Sequence, residues 1–187
     1  MNFCSNCGEE VSLIVPDGDN RLRHVCASCQ AVHYENPKIV TGCIAQWQDQ
    51  ILLCKRAIEP RHGLWTLPAG FMENGETNMQ GAARETAEEA NALVDNMQLF
   101  CVFSIAHISQ VYTMYRGDLI AGEASPGVES LEVALVKESD IPWQDIAFHV
   151  VAETLKLYYQ DKKQGGFKTH YGDIIKQDNN TYSVNYY

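Results

Sequence analysis

Apolar residues gather in short runs along most of the chain, and the runs predict strands. Residues 38–46 carry Ile39, Val40, Cys43 and Ile44, and residues 50–56 carry Ile51, Leu52 and Leu53. Gln48-Asp49 turns the chain between them. Further strands are expected over 97–105, 111–119 and 131–136. Residues 141–163 end in a helix, because Ala147, Val150, Val151, Thr154, Leu155 and Tyr158 recur at three- and four-residue spacing. At the front, residues 12–15 and 21–25 predict a hairpin turned by Pro16-Asp17-Gly18-Asp19. Asn36-Pro37 marks a boundary. The organisation expected is a small unit at 1–35, a main domain at 36–176, and a polar, poorly ordered tail at 177–187. There is no internal repeat and no low-complexity run.

Residues 70–91, GFMENGETNMQGAARETAEEAN, break the strand pattern. Thr77 and Gln80 have the form of a capping box, so a helix starts at Thr77. Met79, Ala82, Ala83, Thr86 and Ala90 give it an apolar face. Asn91 stops it, since Asn readily takes the left-handed conformation of a helix end. Glu85, Glu88 and Glu89 share an arc of about 100° and converge on one patch. Gly81 lies on the same side, and Arg84 stands aside, in reach of Glu76 or Glu73. A solvated face would explain the charge, but such faces interleave lysine, and none occurs between Glu73 and Asn91. Clustered carboxylates without counter-charge suit a hard cation, Mg2+ or Mn2+.

The whole chain has 187 residues and a formal net charge of −10. That sign opposes general affinity for nucleic acid or an anionic membrane surface. Phosphates are still accessible to it where divalent cations bridge them. The first residues, MNFCSNCGEE, lack the basic and apolar regions of a signal peptide, and a cytoplasmic location is expected.

Of seven cysteines, four form Cys4-x2-Cys7 and Cys26-x2-Cys29, eighteen residues apart. This fits tetrahedral Zn2+ on two knuckles better than a redox pair. Four thiolates leave no open position, so the zinc is structural. Gly8 helps the first knuckle turn; the second has Gln30 in that place. Residues 1–35 hold two arginines against five acidic residues, which favours a structural or dimer-building role over nucleic-acid binding. Cys43, Cys54 and Cys101 are expected as buried apolar residues in strands. His62, His107 and His149 have no motif around them.

Gly70, five residues, Glu76, seven residues, then Arg84-Glu85-Thr86-Ala87-Glu88-Glu89 resembles the signature of the Nudix hydrolases. Thr86, Asn91 and Ala92 depart from it, at positions that are aliphatic, glycine and aliphatic in the family pattern. The resemblance implies an α/β fold, a Nudix α/β/α sandwich with a mixed sheet, here preceded by a zinc ribbon. It implies Mg2+ or Mn2+ held by Glu85, Glu88, Glu89 and the Gly70 carbonyl, with Glu76 and Arg84 bracing the loop. It adds Glu129, in Pro126-Gly127-Val128-Glu129-Ser130-Leu131-Glu132, to the metal site. Glu88, Glu89, Glu129 and Arg84 become the catalytic set, and the general base is Glu89 or Glu129.

Two groups with a ribbon before this domain are similar. One is the NADH pyrophosphatases, which also decap NAD-linked RNA and carry a Ser-Gln-Pro-Trp element. Its nearest match here is Ser109-Gln110-Val111-Tyr112, without the Pro-Trp pair. The other is the plant FAD pyrophosphatases of the Nudix class. They resemble Tyr34-Glu35-Asn36-Pro37-Lys38, Leu52-Leu53-Cys54-Lys55-Arg56, Gly63-Leu64-Trp65-Thr66-Leu67-Pro68-Ala69-Gly70 and His170-Tyr171-Gly172. These motifs favour the second group, and that resemblance implies cleavage of FAD to FMN and AMP, or of ADP-ribose to AMP and ribose 5-phosphate. Arg56, Trp65, Gln110 and Tyr112 are the candidate substrate-binding residues. The partner expected is a small nucleoside diphosphate derivative, not a nucleic acid or membrane, with a homodimer as the default assembly. A non-catalytic nucleotide sensor is the rival reading.

Overall fold

The computed structural model describes residues 1–179 and 181–187. The chain divides into two compact units, Met1–Pro37 and Lys38–Tyr187. The division falls two residues past the expected boundary.

In the first unit, β1 (Val11–Ile14) pairs antiparallel with β2 (Arg23–Cys26), and β2 pairs with β3 (Val32–His33). The hairpin is the expected one, with its second strand starting later. Asp19 is the reason. Its Oδ1 accepts from the Asn20 and Arg21 amides at 2.6 and 3.1 Å, and its Oδ2 accepts from Arg23 Nε at 2.8 Å, so the turn extends past residue 21. The two knuckles repeat one geometry. The Gly8 amide donates to the Cys4 carbonyl and the Gln30 amide to the Cys26 carbonyl, both at 2.9 Å. Gly8 has φ 81° and Gln30 φ 59°. Gln30 adopts this left-handed conformation with its side chain donating to the Ala27 carbonyl at 2.7 Å.

The second unit is built on one mixed sheet. Its strands are β4 (Lys38–Trp47), β5 (Gln50–Arg56), β6 (Trp65–Thr66), β7 (Ala69–Phe71), β8 (Val94–Ile105), β9 (Gln110–Leu119), β10 (Ser130–Val136), β11 (His170–Lys176) and β12 (Tyr182–Tyr186). The order is β10-β5-β4-β9-β8-β11-β12, with β6 on β5 and β7 on β4. β4 runs parallel to β9 and β8 parallel to β11; the other pairs are antiparallel. Two helices, α1 (Asn78–Ala90) and α2 (His149–Gln164), complete the unit.

Alternation along the strands sends side chains to two cores. Ile44, Leu53, Phe100, Phe103 and Met114 pack with Val151, Leu155 and Tyr158 of α2. Cys43, Leu52, Cys54 and Leu119 pack with Ala82 and Ala90 of α1. The helices therefore cover opposite faces, and the α/β/α sandwich with a mixed sheet is present. The three remaining cysteines are buried in strands as expected. The apolar face of α2 is also the expected one. The helix begins only at His149, after turns at 143–145 and Ile146, and ends at Gly165 with φ 77°.

β4 and β5 pair only at Gln46 with Ile51 and Trp47 with Gln50, beside a turn where Gln48 has φ 56°. Beyond that they part. β7 takes the edge of β4 at Val40, Thr41 and Gly42, while β6 takes the edge of β5 at Cys54 and Lys55. A Cβ on Gly42 would stand 2.4 Å from the Ala69 Cβ, so glycine is what allows β7 this close.

The tail is the correction. Within the stretch expected to be loose, β12 pairs with Gly172, Asp173, Ile174, Ile175 and Lys176 of β11. Tyr182 and Val184 pack against the α2-side core. The segment alternates Tyr182, Val184 and Tyr186 with polar residues, as a half-exposed edge strand does, and its polar composition concealed that period. Asn180 lies outside the described residues. Among the described residues, no helix is long and apolar enough to cross a membrane.

Ending the chain at Lys176 is expected to strip β11 of one of its two partner strands and uncover the side chains under Tyr182 and Val184. The loss should be about 2 kcal/mol or more in denaturant unfolding. A loose tail would leave the midpoint unchanged.

Candidate active site

Helix α1 is capped at both ends as its sequence requires. Thr77 Oγ1 accepts from the Gln80 amide at 3.3 Å, and Gln80 Oε1 accepts from the Thr77 amide at 2.8 Å. Asn91 takes φ 45°, ψ 37°, and its amide donates to the Ala87 carbonyl. Thr86 fits an aliphatic position because its hydroxyl donates to the Ala82 carbonyl at 2.8 Å and so needs no other partner. The buried face differs from the apolar face expected. Met79 is exposed, whereas Glu85 and Glu89 are buried beside Gly81, Ala82, Thr86 and Ala90.

Arg84 stands at the centre of the charges. Its Nε and Nη2 donate to Glu76 at 3.0 and 2.9 Å, its Nη1 to Glu85 at 2.8 Å and Glu88 at 2.9 Å, and its Nη2 to the Phe71 carbonyl at 3.1 Å. The expected pairing with Glu76 is present; the other two glutamates join it. Glu76 also accepts from the Glu73 amide at 2.8 Å. Arg84 draws the Glu76 carboxyl down to about 2. Two glycines make room. A Cβ on Gly70 would lie 2.4 Å from the Glu85 carboxylate, and one on Gly81 would lie 2.6 Å from Glu76 Oε1.

Glu89 has no such partner. Its Oε2 is buried and without a hydrogen bond. Burial, and then the charge of Glu85, push its carboxyl up to about 8, against the opposing charge of Arg56. Burial raises Glu85 as well, against the pull of Arg84.

Glu129 is brought to the same place by the loop before β10. The Gly127 amide donates to the Glu89 carbonyl at 2.9 Å, and the Ala57 amide donates to the Glu129 carbonyl at 2.8 Å. The Glu129 charge is felt at both Glu85 and Glu89. Glu132 points elsewhere, 3.4 Å from Lys55 Nζ.

The candidate substrate residues separate. Arg56 lies over the Phe148 ring at 5.2 Å and acts electrostatically on Glu89 and Tyr112. Phe148 was not expected; it sits just ahead of α2, with no local signal to mark it. Tyr112 is buried in the α2-side core, and burial raises its hydroxyl. Trp65 is half-buried against that core, with Lys55 Nζ 5.6 Å from its ring. Gln110 is half-buried at the start of β9, between Lys38 and Ile105. His107 and His149 stack on Tyr182 at 5.8 and 4.1 Å, as side chains in a packing role do.

In the ribbon, the four cysteine sulfurs all lie within 4.8 Å of one another. Cys4 and Cys29 Sγ are 3.6 Å apart, and Cys7 and Cys26 Sγ 3.5 Å. A tetrahedron of sulfurs about 2.3 Å from zinc has edges of about 3.8 Å, so the set fits the ion. His33 Nε2, 3.3 Å from Cys4 Sγ, and the Asn6 amide, 3.4 Å from it, add partners to one thiolate. Among the described residues, only these cysteines gather three or more ligand atoms so closely. The glutamates stand more openly, with Arg84 between them.

A mixed sheet between two helices, with a glutamate-bearing helix at its parted strands, is the fold of a Nudix hydrolase. The Nudix N-terminal zinc-ribbon family matches residues 2–35, and the NUDIX domain family matches residues 36–115. The crystal structure of a NUDIX hydrolase from Nitrosomonas europaea is 53% identical, with a TM-score of 0.90 over 93% of this chain and 99% of that one. This chain belongs to the Nudix hydrolase family. Among curated relatives, the NAD-capped RNA hydrolase NudC of Photobacterium profundum is 35% identical over 167 residues, 84% of this chain and 59% of that protein. The ADP-ribose pyrophosphatase of Methanocaldococcus jannaschii is 29% identical over 115 residues, 58% of this chain and 67% of that protein. The chain thus spans about three fifths of the length of the NAD-capped RNA hydrolase it matches.

The cofactors are those of the family, Mg2+ or Mn2+, with structural Zn2+ in the ribbon. The residues fit both. The oxygen donors of α1 suit a hard divalent ion, and the orphaned Glu89 Oε2 lacks just such a partner.

Two outcomes follow from the two sites. Purified protein should hold one zinc per chain through EDTA treatment that strips Mg2+; metal analysis without zinc would overturn the ribbon assignment. In Mg2+-free protein, Glu89 ionises near pH 4.5 when unfolded but only near 8 when folded. Folding therefore becomes less favourable as pH rises through that window, by on the order of a few kcal/mol. Glu89→Gln should gain stability relative to wild type across the same window, with no difference below it. Parallel stability curves from pH 4 to 9 would show that Glu89 ionises normally.

Proposed function

We propose that this chain, with Mg2+ or Mn2+ bound, hydrolyses the diphosphate bridge of an NAD-type dinucleotide to AMP and a second mononucleotide. The observation that carries the substrate is the 35% identity to an NAD-capped RNA hydrolase across 84% of this chain. That likeness supports the NADH pyrophosphatase group over the FAD group favoured by sequence motifs, and none of the relatives named above carries FAD in its name. ADP-ribose remains the second reading, favoured by the archaeal relative. The acidic ribbon favours a free dinucleotide over a long RNA, because its surface repels a phosphate backbone.

Glu85, Glu88, Glu89 and Glu129, with the Gly70 carbonyl, would hold the cations. Bound there, the cations neutralise the diphosphate and lower the pKa of water. Arg84 holds Glu85 and Glu88 together before that happens, and its bonds to Glu76 and the Phe71 carbonyl fix the approach to the helix. Glu129 is exposed on its loop and takes the proton of the attacking water on its carboxylate. Glu89 is too buried for that exchange and keeps a ligand's place. Arg56, held over Phe148 beside Glu89, meets the phosphate charge.

The test is AMP release from NADH, NAD+, NAD-capped RNA, ADP-ribose, FAD and diadenosine substrates, compared by kcat/KM. NADH or NAD+ should lead by about tenfold or more; FAD or ADP-ribose in first place overturns the substrate. On the leading substrate, Glu129→Gln should lower kcat by about a hundredfold, and near-normal turnover would remove Glu129 from the chemistry. Tight binding of NAD without AMP release would instead favour the sensor reading.

A further inference from the structure

The position after Ala90 is glycine in the family signature and Asn91 here. Helix termination explains only half of that difference. Glycine and asparagine both take the left-handed conformation found at Asn91, φ 45°. Asparagine alone brings a side-chain amide, and this one is used. Asn91 Nδ2 donates to the Ser125 carbonyl at 3.2 Å and to the Pro126 carbonyl at 3.0 Å. An NH2 group has two hydrogens, one for each carbonyl.

Those carbonyls belong to the loop that closes the end of α1. The last carbonyls of a helix have no partner within it. Here the Ser125 amide donates to the Ala90 carbonyl at 2.8 Å and the Gly127 amide to the Glu89 carbonyl at 2.9 Å. Gly127 presses so closely that a Cβ would fall 1.7 Å from the Glu88 carbonyl oxygen, so no other residue fits. Two residues later comes Glu129. Its own carbonyl is held by the Ala57 amide at 2.8 Å, and the Ser130 amide returns to the Gly127 carbonyl at 3.1 Å. The segment is thus pinned to the helix on one side and to the end of β5 on the other. Its approach to the helix runs through the two peptide groups that Asn91 grips.

We infer that Asn91 is a positioning residue: its side-chain amide staples the loop at residues 125–127 to the end of α1 and so sets where Glu129 stands beside Glu85 and Glu89. The inference rests on the reading of Glu129 as the base given above. Asn91 itself touches neither substrate nor cation; it acts through the loop.

The informative variant is Asn91→Gly, which restores the family residue, keeps the helix end and removes only the two side-chain bonds. Helix content and zinc content should match wild type. Hydrogen exchange of the Ser125 and Gly127 amides should speed up by about tenfold or more. With the leading substrate, kcat should fall by about tenfold and KM should change less than twofold, because the loss is one of placement at the reacting atoms. Adding Asn91→Gly to Glu129→Gln should cost no further turnover, since the staple works only through that carboxylate. Unchanged amide protection in Asn91→Gly would refute the staple. Faster exchange with full kcat, while Glu129→Gln is slow, would refute its positioning role. A fully active Glu129→Gln would overturn the base assignment and the positioning role with it, leaving the exchange data to judge the staple alone.

Discussion

Arg84 donates to three carboxylates and one carbonyl, and the shape of the glutamate cluster depends on those bonds. Glu85 and Glu88 share a single guanidinium nitrogen, so two charges that repel along the helix are held toward one point. Glu76 is brought from the preceding loop by the same side chain. The network leaves Glu89 out. Its buried carboxylate oxygen has no hydrogen bond, and burial together with the Glu85 charge pushes the carboxyl well above its ordinary value. The cluster is therefore neutralised on the side of Arg84 and without a hydrogen-bond partner on the buried side, at Glu89 Oε2.

The sheet provides the space. β4 and β5 separate after two residue pairs, and β6 and β7 fill the opening from either side. Gly42 lets β7 approach, Gly70 lets the Glu85 carboxylate lie on the backbone, and Gly81 admits Glu76. Three glycines thus remove side-chain bulk at successive steps of one approach, each at a contact where a methyl group would collide. The second helix lies on the far face. Its buried Asp161 accepts from the Lys168 amide at 3.0 Å and pairs with His170 at 2.9 Å, which fastens the helix end to β11.

What was legible in the sequence was what is local. The capping box of Thr77 and Gln80, the stop at Asn91 and the knuckle spacing of the cysteines each depend on residues a few positions apart, and each is present in the fold. The glutamate patch was legible as a patch, since helix geometry alone sets it. Its burial was not, because the covering comes from β7 and from the loop at 125–127. The substitution of Gln30 for a knuckle glycine was visible, but its side-chain bond to Ala27 was not. β12 was hidden by polar residues that look loose until β11 supplies the partner. Phe148 beneath Arg56 had no sequence signal, because the contact joins the end of one strand to a distant helix start. The nucleoside half of the substrate was least legible, and motif resemblance leaned toward FAD where the curated likeness leans toward NAD.

The junction of Gly127 with the last turn of α1 also ties the end of the helix to the sheet. The Glu89 and Ala90 carbonyls receive the Gly127 and Ser125 amides, and they are free to do so only because α1 ends there. A longer helix would use those carbonyls itself and leave the loop unheld, and β10 follows that loop directly. The stop at Asn91 therefore fixes in one place the length of the helix and the start of an edge strand of the sheet.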